Sequence, residues 1–203
     1  MGTKKVGVLI SGRGSNLQAL IDAQREGALG GEIAVVFSNV DSAAGLQRAR
    51  RAGVPVVVRD HRGRRREEFD AELADLLQAH GVELVCLAGY MRLLSAAFIR
   101  RFAGRILNVH PALLPAFPGL HAQRQALEYG VKVSGATVHL VDEGLDSGPI
   151  VLQEAVAVRA GDSEATLSAR ILEAEHRIYP RAVRALLEGR CTVEGRRVLV
   201  EGE

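Results

Sequence analysis

The 203-residue sequence has no tryptophan, and aromatic residues make up only 4% of it. That is too few rings for the stacking platforms that hold single-stranded nucleic acid. Its two cysteines, Cys86 and Cys191, lie far apart and form no C-x-x-C spacing, which argues against a disulfide framework or a thiolate metal site. Both read as free thiols in a reducing compartment, with Cys86 inside an apolar run and so part of the core. Charge of one sign is scarce as well: 26 Lys and Arg against 24 Asp and Glu give a net charge of +2. A basic coat for nucleic acid is therefore not expected. No stretch approaches the ~20 apolar residues of a membrane helix. The chain also runs from Lys4 and Lys5 straight into a strand-like segment, without the apolar region of a secretory signal. The expectation is a soluble cytoplasmic chain with small-molecule partners, neither nucleic acid nor membrane.

What is present is an ordinary globular composition, 47% hydrophobic and 25% charged, with 22 glycines and 6 prolines. At this length a compact domain buries roughly 70% of its unfolded surface, enough for a core without staples. Short Val, Ile and Leu runs at 5–10, 32–38, 54–58, 82–87 and 105–109 alternate with helical periodicity at 16–26, 43–52, 66–80 and 95–102. This rhythm predicts an α/β fold, a mostly parallel twisted sheet with helices on both faces. Residues 110–120 contain three prolines and a glycine and so form a loop. A helix at 122–129, strands at 134–141 and 150–158, a helix at 163–188 and a hairpin around Glu194 and Gly195 complete the expectation. No linker or repeat divides the chain, which reads as one domain, 1–203, with a nucleotide-fold half to about residue 105 and a catalytic half from about 106.

The first predicted strand ends in Ser11-Gly12-Arg13-Gly14-Ser15-Asn16, directly before a helix. Such a turn presents backbone N–H groups and a helix N-terminus to an anion, and a phosphate is the natural guest. The dinucleotide fingerprint would need glycine at position 17 and an acidic residue after the second strand, but Leu17 and Ser38-Asn39 stand there. A phosphate-binding loop ending in Gly-Lys-Ser/Thr is absent too, which leaves a terminal phosphate on a small molecule. The plainer alternative is a tight turn in which Ser15 or Asn16 caps the helix.

Polar chemistry is densest at Asn108-Val109-His110, where a period of two places Asn108 and His110 on one side of the sheet edge. Far along the chain, residues 142–149 form an acidic, glycine-rich loop that can present Asp146. An Asp–His pair would orient the imidazole and raise its pKa, and the Asn108 amide could donate to a developing oxyanion. Each has a plainer role: Asn108 satisfying a backbone group, His110 as a loop element before Pro111, Asp146 anchoring an Asx-turn. His61 and His80 read as exposed, His139 merely alternates within a strand, and His176 sits in the last helix. No grouping has metal-ligand spacing, so no metal is expected. Arg62, Arg64, Arg65 and Arg66 read as a solvated face that could also meet an anionic tail. The run from Val85 to Leu94 opens from a buried strand into an apolar lip suited to a flat heterocycle.

Taken together, these residues resemble the folate-dependent formyltransferases, in particular the short branch that formylates glycinamide ribotide in purine biosynthesis. The specific segments are 11–18, 36–39, 87–92, 107–115, 117–121, 145–149 and 175–180. The resemblance implies a Rossmann-like formyltransferase fold and transfer from 10-formyltetrahydrofolate, as cosubstrate, to the glycinamide amine. It implies Asn108, His110 and Asp146 as the catalytic trio, with the His110 ring protonated. It further implies Gly14, Ser15 and Asn16 at the ribotide phosphate, Glu175 at the ribotide, and Arg66, Met91, Arg92, Leu93, Leu94 and Asn108 at the folate. His121 would stand at the active-site entrance. Arg13 stands where the family most often has asparagine. Monomer and homodimer both remain open. A hydrolase of the same superfamily would be expected to carry an extra N-terminal domain, a tRNA-formylating member an additional C-terminal one, and a non-catalytic sugar-phosphate sensor would use the glycine turn alone.

Overall fold

The computed structural model describes residues 2–202, and the chain divides after Leu107 into two compact units. The first contains β1 (Lys5–Ile10), α1 (Ser15–Arg25), β2 (Glu32–Ser38), α2 (Gly45–Arg51), β3 (Val56–Val58), α3 (Arg66–Ala79), β4 (Leu84–Leu87) and α4 (Ala96–Arg101). Its strands lie in the order β3-β2-β1-β4, and each neighbouring pair is parallel. Val6, Val8, Leu9 and Ile10 of β1 are fully buried, as are Val85 and Cys86 of β4. Strands covered on both faces need continuous apolar runs, which is what these segments supply.

Two strands are shorter than expected, for local reasons. Pro55 has no N–H to give to a ladder, and Val54 N instead closes onto the Ala49 carbonyl after α2. Val82 N likewise turns back to the Leu77 carbonyl after α3, so each residue finishes a helix rather than starting a strand.

The strand β5 (Ile106–His110) runs across the division. The second unit adds α5 (Ala122–Tyr129), β6 (Val133–Leu140), β7 (Ile150–Ala157), α6 (Glu164–Leu187), β8 (Cys191–Glu194) and β9 (Arg197–Val200). The order there is β5-β6-β7-β9-β8, with β6–β7 and β8–β9 antiparallel and β7–β9 parallel. On α6, Leu167, Ile171, Ala174, Ile178 and Ala182 recur at helical spacing and are buried, facing β6 and β7. Ser163 starts the helix with a capping box: its hydroxyl accepts from Thr166 N, and Thr166 Oγ1 accepts from Ser163 N. Among the described residues no helix is long and apolar enough to cross a membrane.

The turn after β1 differs from the expected cap. Gly14, not Ser15 or Asn16, is the N-cap of α1, in the left-handed region at φ 71° and with no side-chain cap. A Cβ at Gly14 would lie 2.6 Å from Gly45 Cα, and Gly45 N donates to the Gly12 carbonyl at 3.0 Å. The turn is therefore seated against the start of α2, and only glycine satisfies both the dihedral and the contact. Gly14→Ala should cost at least about 1–2 kcal/mol from the left-handed dihedral alone, with the close contact adding to it. Gly12→Ala, with open space around its Cβ, serves as the control. Thermal unfolding of the two variants checks this: a clear drop in Tm is expected for Gly14→Ala and not for Gly12→Ala.

Candidate active site

In the second unit, β5 delivers Asn108 and His110 to the mouth of the proline-rich loop. That loop is fixed by side chains of β6 and β7. Thr137 Oγ1 donates to the Ala112 carbonyl at 2.6 Å and accepts from Leu114 N at 3.0 Å, while Gln153 Nε2 donates to the Leu114 carbonyl at 2.9 Å. A loop without a ladder of its own thus has its polar groups satisfied by side chains of the neighbouring strands, the buried Thr137 and the exposed Gln153.

Asp146 arrives from the loop between β6 and β7. Gly148 lets that loop return closely, since a Cβ there would sit 1.8 Å from the Leu140 carbonyl oxygen. The Asx-turn of this loop belongs to Asp142, whose Oδ1 accepts from Gly144 N and Ser147 Oγ, leaving Asp146 for other partners. Asp146 Oδ2 accepts from Gly119 N at 2.8 Å and lies 3.4 Å from His110 Nδ1, while Oδ1 lies 3.7 Å from His139 Nε2. Phe117, His121 and Asp146 all hold positive φ, at 55°, 58° and 47°. Phe117 and His121 lie on either side of Gly119, whose amide meets the carboxylate of the third, and non-glycine residues in this region are associated with functional sites.

The hydrogen-bond partners fix where protons sit. His110 Nε2 is 2.8 Å from the Phe117 carbonyl, which only accepts, so Nε2 carries a hydrogen and Nδ1 of the neutral ring presents its lone pair towards Asp146. His139 Nδ1 faces the Leu140 carbonyl at 3.0 Å, and its Nε2 is 3.1 Å from Asn108 Nδ2. The same Nε2 faces Asp146 Oδ1, so its role follows the tautomer: without a hydrogen it accepts from the Asn108 amino group, and with one it donates to the carboxylate.

Burial is the largest influence on both titrating groups. It pushes the His110 pKa down; the Phe117 carbonyl and the Asp146 charge pull it up, His139 pushes it down, and the net direction is down from 6.5. The expected rise from Asp146 is present but loses to desolvation, so the resting ring is the neutral one and the implied imidazolium is not the resting state. For Asp146, burial acts upward. The His139 ring, the Gly119 amide and the charges of the two imidazoles together outweigh it, and the carboxyl is lowered from 3.8.

His139 is the residue that sequence reasoning passed over. A register shift between Val138 and His139 interrupts the β6–β7 pairing, so simple alternation does not reveal where its ring points. His61 and His80 are half-buried rather than exposed: His61 Nδ1 meets Asn39 Nδ2 at 3.2 Å, and His80 Nδ1 meets the Leu76 carbonyl at 2.9 Å.

The remaining expected residues fall as follows. In the first unit Gly14, Ser15 and Asn16 form the turn into α1. Met91 and Leu93 are exposed at 69% and 63%, an apolar lip after β4 that also includes Leu94. Arg66 opens α3, its side chain 3.8 Å from Glu67 and half exposed, while Arg64 pairs with Glu72 at 2.7 Å. Arg64, Arg66, Glu67, Arg92 and Leu93 line a recess of about 480 Å³. In the second unit Glu175 is buried on α6, and His121 is exposed at the N-cap of α5. Among the described residues, no three His, Cys, Asp or Glu side chains group as metal ligands.

The two lowered pKa values make stability depend on pH in one direction. Below pH 6.5 the unfolded chain protonates His110 before the folded one does, so stability falls as pH drops; below 3.8 Asp146 adds to the loss. The His110 contribution is at most one proton, about 1.4 kcal/mol per pH unit. Denaturant titrations of wild type and His110→Gln across this range should show a flatter dependence below pH 6.5 in the variant, and equal slopes would contradict the assignment.

A sequence profile described as formyl transferase matches residues 4–183. The chain is 45% identical to "Phosphoribosylglycinamide formyltransferase" of Escherichia coli (strain K12) over 197 residues, 97% of this chain and 93% of that one. It is 53% identical to "Trifunctional purine biosynthetic protein adenosine-3" of Drosophila melanogaster over 92% of this chain, and spans 14% of that longer relative. Among solved structures, glycinamide ribonucleotide transformylase 1 from Symbiobacterium toebii superposes with a TM-score of 0.96 at 58% identity, covering 98% of this chain and 94% of that one. With the profile spanning most of its length and a near-full-length relative at this identity, the chain belongs to the formyl transferase family.

Proposed function

We propose that this chain transfers the formyl group of 10-formyltetrahydrofolate to the amine of N1-(5-phospho-D-ribosyl)glycinamide, giving the N-formyl ribotide and tetrahydrofolate for purine biosynthesis in the cytoplasm. The observation that carries the reading is the second unit's set of an oriented amide, a neutral buried imidazole and an ionised carboxylate, Asn108, His110 and Asp146. The near-full-length relatives named for this activity support it.

Gly14, Ser15 and Asn16 are assigned the ribotide phosphate, and Glu175 the ribotide. Arg66, Met91, Arg92, Leu93, Leu94 and Asn108 are assigned the folate, and His121 the entrance. The amine attacks the formyl carbon, and the carbonyl oxygen becomes an oxyanion that accepts from the Asn108 amide. The His110 Nε2–H, now on the Phe117 carbonyl, is the second donor to that oxygen. His110 Nδ1 takes up the proton that the attacking amine loses, creating an imidazolium against Asp146 Oδ2, 3.4 Å away, which offsets the desolvation that keeps the resting ring neutral. Collapse breaks the bond from carbon to the folate N10, and that proton passes from the imidazolium to N10, which returns His110 to its neutral form. Nothing in this sequence of steps uses a metal.

Purified protein given both substrates should form tetrahydrofolate only when the ribotide is present, and a chelator should leave the rate unchanged. Formate release without ribotide would make it a deformylase, and binding without turnover a sensor; either outcome overturns the proposal. His110→Asn and Asp146→Asn should each lower kcat by about 10²–10⁴-fold with ribotide affinity little changed. The double variant should lose much less than the product of the two effects, because both residues serve one charged unit. Steady-state kinetics of the four proteins measures this.

A further inference from the structure

In the first unit, Ser11 joins the two segments to which the formyl-transfer reading gives different substrates. Its backbone N–H donates to the Gly89 carbonyl at 3.1 Å, and its hydroxyl oxygen accepts from Met91 N at 2.9 Å. The hydroxyl hydrogen is committed elsewhere, to Asn39 Oδ1 at 2.6 Å, and His61 Nδ1 lies 3.2 Å from Asn39 Nδ2 and 3.3 Å from the Asn39 carbonyl. Met91 N can only donate, so the Ser11 oxygen accepts there and its hydrogen points to Asn39 Oδ1, which holds the hydroxyl in one orientation. Ser11 also begins the glycine turn that leads to Gly14. At its far end the 89–95 loop is pinned separately: Asp70 Oδ2 accepts from Ser95 N at 2.6 Å. The 89–95 loop and the phosphate turn thus share one side chain.

We propose that Ser11 is a positioning residue that couples the two loops, so that ordering the phosphate turn with ribotide also orders Met91 to Leu94 for folate, and the reverse. Such coupling is reciprocal by linkage: each ligand tightens the other by the same factor. The hydroxyl's hydrogen and oxygen are both used by partners within the chain. Its effect is on the cooperation between them, and this rests on the assignment of the two loops in the reading above.

The test is calorimetric titration with glycinamide ribotide and tetrahydrofolate, a pair that cannot react. In the wild type each ligand should improve the affinity of the other by about fivefold or more. In Ser11→Ala the factor should fall towards one, with each ligand still binding alone, and Ser11→Thr should restore it. If Ser11→Ala does not fold, Asn39→Leu, which leaves the hydroxyl in place but removes the acceptor that orients it, should show the same fall. A factor unchanged in these variants, or equal to one in a wild type that binds both ligands, overturns the proposal. A wild type that binds neither ligand instead overturns the formyl-transfer reading, so the two failures are distinguishable.

Discussion

The arrangement of the second unit depends on one half-buried carboxylate, its side chain 13% exposed. Asp146 is held by the Gly119 amide and faced by two imidazoles, and keeping it charged with most of its surface withdrawn from water is the costly part of the construction. The charge is affordable because each oxygen has a polar neighbour, and those neighbours are where they are because of the loops. Gly119 is presented by a proline-rich segment that Thr137 and Gln153 hold in place. The 142–149 loop closes because Gly148 admits the Leu140 carbonyl. Removing any of these would leave the carboxylate with fewer partners, and its pKa would move towards the raised value that burial alone favours.

The imidazole beside it has the opposite balance. Burial defeats the attraction of Asp146 and leaves His110 neutral at rest. A ring that is neutral in the ground state but has a carboxylate waiting at Nδ1 gains most when negative charge develops at Nε2, which is the condition for stabilising a transition state more than a substrate. A permanently charged imidazolium would already be satisfied by Asp146 before any reaction began.

Much of this was legible in the sequence. The bounds of β1, β2 and α5 follow from their apolar runs and periodicity, and α6 was continuous through Pro180 because its buried face never lost its spacing. Asn108 and His110 could be placed by alternation on β5. Other features depend on contacts distant in sequence: the bulge that turns His139 to Asn108, and the approach of Gly45 that makes Gly14 the cap. The direction of the His110 shift is of this kind too. The pairing with Asp146 could be proposed from the chain, but the desolvation that overrides it is a property of the packed state.

The central claim is that Asp146 is an ionised carboxylate inside this packing. Carbon-13 NMR of the Asp146 carboxyl, followed against pH in the folded protein, tests it most directly. A midpoint below 3.8 is predicted, with the carboxylate signal persisting wherever the fold persists above that pH. A carboxyl that takes its proton above that value while the protein remains folded would contradict the account.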